Sequence, residues 1–277
     1  MTAIAIWSNF ENIHHPGIWV AADSRVSQAS GPVLVEDAVK VFALPIVCRS
    51  PGPEGFFSEV SYTHSFGYCF AGSTLMGQNA YLALLPLLGN LSVQDGYVPS
   101  LAEVAKYVHR YLSLTFDDYK LRQGEGAIFE VAIFGHCHQT KTLSAFHFSP
   151  EVKDGVYSMG IAEHPNMQDK EFLYLGDRKR ELSEMLKAAF EGESVPGRPL
   201  SRIPRYVIQD CIDNDSLPSI GGDIQIAIAD SLGFRHFVLC KPRVHGQPAA
   251  FFSYLGRELT EELAWLGEAH VGGNGLV

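Results

Sequence analysis

The sequence predicts an α+β fold of packed layers in one domain spanning residues 1–277. Three observations lead there. Apolar runs of strand length open and close the chain, two segments of helical period interrupt them after the first strands, and two more do so before the last. No internal repeat, low-complexity tract or long linker divides the 277 residues.

Taken in order, Ala3 to Trp7 and Gly17 to Ala22 are apolar runs joined by a polar stretch with Asn9, Glu11, Asn12, His14, His15 and Pro16, which reads as a hairpin with a long loop. Val33 to Val35 and Val39 to Pro45 read as a second strand pair. Ser50-Pro51-Gly52-Pro53-Glu54-Gly55 is loop chemistry, and Tyr68 to Ala71 is a strand leading into Gly72. The period then becomes helical. Leu75, Tyr81, Leu82, Leu84, Leu85 and Leu88 share one segment, with a break expected near Pro86; Leu101, Val104, Ala105, Val108, Tyr111 and Leu112 share the next, behind Ser100 as N-cap. Glu130 to Phe134, Leu143 to Phe148, Val156 to Ile161 and Glu171 to Leu175 are strand-like. Arg180 to Phe190 and Pro204 to Ile212 are helical, and Ile224 to Ala229 and Phe237 to Leu239 close the chain as strands.

Composition removes several classes of function. Twenty-one Lys and Arg against 31 Asp and Glu give a net charge of −10 and a pI near 5.5. No basic patch is available for nucleic-acid phosphates or anionic lipid, so neither is an expected partner. With 46% hydrophobic and 19% charged residues the chain is of globular type, and at this length roughly 75% of its unfolded surface is buried on folding. No run of about 18 apolar residues occurs, and Met1 to Trp7 lacks the basic start of a secretory signal, so the cytoplasm is the expected compartment. Cys48, Cys69, Cys137, Cys211 and Cys240 form no CxxC pair and suit reduced thiols.

The chemistry starts at the second residue. Removal of Met1, usual before a small residue, would expose Thr2 with a free α-amine; a threonine hydroxyl is a poor nucleophile alone, but an α-amine with pKa of about 7.7–8.0 can take its proton near neutrality. Then Val20-Ala21-Ala22-Asp23-Ser24-Arg25 delivers a carboxylate at the end of an apolar strand, and Lys40 follows seventeen residues later within an apolar run, Asp37-Ala38-Val39-Lys40-Val41-Phe42. Phe70-Ala71-Gly72-Ser73-Thr74 opens a helix, and Ser219-Ile220-Gly221-Gly222 precedes the late strand Ile224-Gln225-Ile226-Ala227-Ile228.

These five stretches, in this order and across most of the chain, resemble the proteasome β-subunit family of N-terminal-nucleophile hydrolases, in a bacterial proteasome-like form. The resemblance implies a four-layer αββα sandwich and an N-terminal threonine amidohydrolase, most simply a threonine peptidase that cleaves peptide bonds through an acyl-enzyme ester. It implies roles as well: Thr2 as nucleophile and base, Lys40 as the cation that lowers the amine's pKa, Asp23 as the anchor of Lys40, and the Gly72 N–H as oxyanion donor, with support from Ser73 or Ser219. It also implies a homo-oligomeric ring or spiral, a peptide or unfolded-protein substrate, and an ATP-dependent unfoldase as a partner. No cofactor or metal is called for.

The departures are specific. Between Lys40 and Gly72 the chain is longer than the family pattern, so residues 48–66 read as an insertion beside the pocket. Gly176-Asp177-Arg178 stands where the family has Gly-Ser-Gly, so Asp177 replaces the serine that assists the terminal amine. The late acidic position holds Ser216, with Asp213 and Asp215 nearby and Asp215 the favoured substitute. Without catalysis, the same fold would serve as a structural ring subunit, and a third reading is an acylase acting on small amides.

Other patterns carry less. His136-Cys137-His138 places two histidines on one strand face without a third ligand and reads as strand surface; His14-His15 reads as an exposed loop pair. Walker, G-x-S-x-G and H-E-x-x-H signatures are absent.

Overall fold

The computed structural model describes residues 2–14, 16–27, 31–153, 155–192, 196–215, 217–242, 250–272 and 275–276. Met1, His15 and Ser216 lie outside the described residues. Strands β1 (Ala3–Asn9) and β2 (Gly17–Ala22) pair antiparallel from Ile4↔Ala22 to Asn9↔Gly17 and are buried at every position. Both faces are covered, which is why they read as continuous apolar runs rather than as an alternation. A short ribbon, β3 (Val26–Ser27) with β4 (Val33–Val35), leads to the long hairpin of β5 (Val41–Ser50) and β6 (Glu59–Gly72). Helix α1 (Thr74–Leu88), strand β7 (Leu91–Ser92) and helix α2 (Leu101–Gln123) follow, α2 starting at a capping box between Ser100 and Glu103.

The second half repeats the alternation. It runs β8 (Phe129–Cys137), β9 (Thr142–Lys153), β10 (Val156–His164), β11 (Phe172–Gly176), α3 (Lys179–Glu191) and α4 (Ile203–Asp213), then β12 (Gln225–Asp230) and β13 (Gly233–Pro242). The chain closes with β14 (Ala250–Tyr254), β15 (Arg257–Glu258), α5 (Glu261–Ala264), the pair β16 (Trp265–Leu266) and β17 (Ala269–His270), and β18 (Gly275–Leu276). One sheet has the order β11-β1-β2-β12-β13-β14-β15, with β18 parallel on β13; the other has β10-β9-β8-β6-β5-β7.

Three apolar clusters hold these pieces together, and the period of two along β1 shows how. Ile4 and Ile6 face a cluster shared with Cys69, Ala71, Ala132 and Phe134 of the second sheet. Ala3, Ala5 and Trp7 face the opposite way, into a cluster with Leu182 and Leu186 of α3 and Ile208 of α4. A third cluster joins Phe70, Val131 and Ile133 of the second sheet to Leu84 of α1 and Val104 and Val108 of α2. Thr2 continues the alternation on the Ile4 and Ile6 side, at one end of the space between the sheets.

Three expectations are corrected here, and the place of a fourth segment is described. Val33–Val35 pairs with Val26–Ser27 and not with the strand from Val41: Val33, Leu34 and Val35 are all exposed, whereas β5 buries Val41, Leu44, Ile46 and Cys48 and pairs along its length with β6. Pro86 does not break α1, which runs on to Leu88, because a proline this near the end removes few bonds. Lys40 stands immediately before β5 rather than inside it. Within residues 48–66, Cys48–Ser50 completes β5 and Glu59–Phe66 opens β6, so the segment is the outer part of that hairpin with its turn.

Candidate active site

Strand β2 ends by delivering Asp23 beside the start of β1, where the Asp23 N–H donates to the Ala3 carbonyl at 3.1 Å and the Ala3 N–H donates to Asp23 Oδ1 at 2.9 Å. Lys40 Nζ donates to the same Oδ1 at 2.8 Å and to the Arg25 carbonyl at 2.7 Å; both side chains are fully buried. Asp23 Oδ2 accepts from the Gly221 and Arg25 N–H groups, each at 3.2 Å. A buried carboxylate costs free energy unless its lone pairs are filled, and four donors fill these. Burial pushes the Lys40 ammonium below the ordinary lysine range, against the pull of the Asp23 charge.

Gln225, at the head of β12, ties these elements together. Its Oε1 accepts from the Lys40 N–H at 3.0 Å, and its Nε2 donates to the Asp23 and Ala38 carbonyls at 3.0 and 2.9 Å. Sequence reading missed it, although a buried polar residue heading an apolar strand is a signal of long-range bonding.

Thr2 is 2% exposed and lines a cleft of about 460 Å³ together with Gly72, Glu130, Gly176, Asp177 and Lys179, with Ala71, Ile128, Phe129, Pro150 and Tyr157 as its apolar wall. The Asp177 N–H donates to the Thr2 carbonyl at 2.8 Å. Gly176 makes this approach possible: its φ is +113°, and a Cβ there would lie 1.9 Å from the Thr2 oxygen. The Gly176 N–H donates to Glu130 Oε1 at 2.5 Å, while Glu130 Oε2 accepts from His147 Nε2 at 2.7 Å and lies 3.7 Å from Lys179 Nζ. Burial alone would raise the Glu130 carboxyl, but the bond and charge of His147, with Lys179 and the Gly176 N–H, hold it below the usual carboxylate range. Glu130 read from sequence as a strand start alone; its partners are remote in the chain, so no local pattern announced it.

Gly72 ends β6 at φ +89°, against the Ile128 carbonyl. The Ser73 N–H donates to that carbonyl at 2.9 Å, which makes positions 73 and 128 a hydrogen-bonded pair of the antiparallel ladder. One residue earlier the pairing alternates, turning the Gly72 N–H away from β8 to the side on which the Phe70 N–H reaches the Lys40 carbonyl at 3.3 Å. The Ser73 side chain makes no capping bond.

The remaining expected residues lie at different depths. Ser219 Oγ donates to Asp177 Oδ2 at 2.8 Å and so joins the cleft through Asp177. Asp215 is exposed and accepts from Arg25 Nη1 at 3.1 Å; it does not line the cleft. Arg25 in turn donates to the Pro218 and Ile220 carbonyls at 3.2 and 3.4 Å. Asp213 accepts from Gln209 Nε2 at the end of α4. Asp23 and Lys40 sit behind Thr2 without reaching the cleft surface.

The paired histidines differ from a plain strand surface. His138 Nε2 lies 3.3 Å from His64 Nδ1, and the rings of His136 and His138 meet edge-on. Among the described residues no group of three His, Cys, Asp or Glu is placed to hold a metal ion. No helix among them is long and apolar enough to cross a membrane.

The fold is a mixed α/β architecture in which helices pack against both sheets. No protein-family model matches the chain, and no curated protein matches it by sequence. Solved structures do match in fold. An Anbu mutant from Hyphomicrobium sp. strain MC1 superposes with a TM-score of 0.55 at 14% identity, over 85% of this chain and 86% of that one. The Anbu complex from Pseudomonas aeruginosa, described as a helical assembly, gives 0.52 at 14% identity, over 86% of each chain.

Proposed function

We propose that the chain is an N-terminal threonine amidohydrolase, a proteasome-like peptidase in a four-layer αββα sandwich, working after Met1 is removed. The observation that carries this reading is the convergence of Thr2, the Gly72 N–H and the buried Asp23–Lys40 pair at one end of the space between the sheets. The Thr2 Oγ attacks an amide carbonyl while its proton passes to the Thr2 α-amine, and the new C–O bond leaves an oxyanion opposite the Gly72 N–H. The C–N bond then breaks, the α-amine gives its proton to the departing amine, and an ester remains. Water, deprotonated by the same α-amine, attacks the ester, and the proton returns to Thr2 Oγ as the acid leaves.

Lys40 supplies positive charge behind the amine, Asp23 fixes Lys40, and Ser219 and Asp215 act at one remove, through Asp177 and Arg25. The half-apolar cleft suits a peptide better than a small polar amide. By analogy with the helical assembly of the Pseudomonas aeruginosa complex we extend the reading to a homo-oligomer, and to an unfolded-protein substrate fed by an ATP-dependent unfoldase in the cytoplasm.

The test is the intact mass of the purified protein before and after an epoxyketone, a reagent that needs the hydroxyl and free amine of one terminal threonine. The expected result is loss of Met1 and one adduct, absent from Thr2→Ala. Retained Met1 with no adduct would overturn the peptidase in favour of a structural subunit.

A further inference from the structure

We propose that Asp177 is a positioning residue that sets the working pH of this site: its carboxylate, fixed in the cleft that Thr2 also lines, strengthens the hold of the Thr2 α-amine on its proton and moves turnover to the alkaline side of neutrality. The inference rests on the threonine-nucleophile reading.

Geometry places the charge. The Asp177 N–H holds the Thr2 carbonyl at 2.8 Å, so the two residues touch through their backbones, and both line the cleft. The Asp177 side chain is pinned on both oxygens, Oδ1 by the Arg178 N–H at 3.0 Å and Oδ2 by Ser219 Oγ at 2.8 Å. Every other charged group facing this end is matched. Asp23 is paired with Lys40 at 2.8 Å, Glu130 is met by His147 and Lys179, and Arg178 turns to Glu181 at 3.1 Å. Asp177 alone among these carboxylates has no ion pair among the described residues, and its pinning donors are neutral. An unmatched carboxylate beside an amine favours the ammonium form, and in a half-buried setting the effect is about one pKa unit. Lys40 acts in the opposite sense from behind, so the amine lies between a cation that frees its lone pair and an anion that occupies it.

The chain is made with Thr2 as its first residue by cleavage of a fused tag, and the α-amine is titrated by NMR after labelling with 15N-threonine. The acid limb of kcat/KM on a peptidyl amide is recorded beside it, for the parent, Asp177→Asn and Ser219→Ala. Asp177→Asn keeps the shape and an acceptor but loses the charge, so the amine pKa and the acid limb both fall by about one unit, and the neutral fraction of amine at pH 6 rises about tenfold. Ser219→Ala removes a donor, leaves more of the carboxylate's charge directed at the amine, and moves both the other way by a smaller step. Opposite shifts are something a merely structural role would not give. An amine pKa unchanged in Asp177→Asn overturns the proposal even where turnover is normal. An amine that shifts as expected in a chain with neither turnover nor adduct upholds the electrostatic role and overturns the peptidase.

Discussion

The two ends of the space between the sheets are built on opposite plans. At the Thr2 end, buried polar groups are saturated: Asp23 takes four donors, and Gln225 spends both amide groups on the backbone around Asp23 and Lys40. Strand β8 runs from this end, at Glu130, to the other, at His136, and there the accounting changes. His64 Nε2 and His136 Nδ1, with His236 Nδ1 on β13, are buried without a hydrogen-bond partner among the described residues. Burial pushes His64 and His236 down to about 4 and lowers His136 and His138 as well. One end invests in a fixed charge constellation, and the other tolerates neutral rings as apolar filler.

Removing half of the saturated pair is the severest way to break the contrast. Lys40→Met leaves the Asp23 charge buried without its cation and is expected to cost about 3–5 kcal/mol, read as a shift in urea midpoint, while Asp23→Asn combined with Lys40→Met recovers most of the loss because no charge is stranded. A double variant no more stable than the single one would show that the pair acts through packing. Next comes Gly176→Ala. Its Cβ cannot share the position with the Thr2 carbonyl, so about 3 kcal/mol of strain or a displaced Thr2 follows, and epoxyketone labelling is expected to slow by about 10²-fold.

Acid sharpens the contrast from the other end. His64 and His236 are neutral when folded and titrate near 6.5 when unfolded, so the unfolded chain binds more protons as the pH falls. Their contribution is complete above about pH 6.5 and is lost progressively toward pH 4. The expected fall is about 2 kcal/mol between pH 7 and pH 5, after discounting for partial exposure. His236→Phe, which keeps the ring contacts to Phe234 and Tyr254, should flatten that slope. A slope unchanged in His236→Phe would assign the acid sensitivity to other groups.

The same contrast explains what could be read from the sequence. Thr2, Asp23, Lys40 and Gly72 stand at the ends of apolar strands, so a one-dimensional pattern marks them, and the corresponding layers follow from the same runs. Glu130 has no local pattern to announce it, and Gln225, a polar residue heading an apolar strand, hints at long-range bonding without naming its partner; the partners are 46 residues away for Glu130, at Gly176, and 185 for Gln225, at Lys40, and only the closed sheets bring them together. His64 lies in Glu59–Ser65, where Val60, Tyr62 and His64 alternate with Glu59, Ser61, Thr63 and Ser65; the alternation is of strand type, but the ladder it joins, that of β5, is set by pairing outside the segment. Register across a sheet is the information the linear pattern lacked.

The smallest expected effect bears on how far the saturated end extends. Asp215 is held by Arg25 at 3.1 Å, and Arg25 keeps Glu36 at 3.0 Å whether or not Asp215 is present. Exposed pairs of this kind contribute a few tenths of a kcal/mol. What Asp215 adds is orientation of Arg25 toward the Pro218 and Ile220 carbonyls, next to the Gly221 N–H that holds Asp23. Asp215→Asn is therefore expected to lower kcat/KM only a few-fold, and Arg25→Ala considerably more, since it releases both carbonyls and Glu36 at once. Equal losses in the two variants would place Asp215 in direct service of the cleft, and no loss in either would end the saturated region at Asp23.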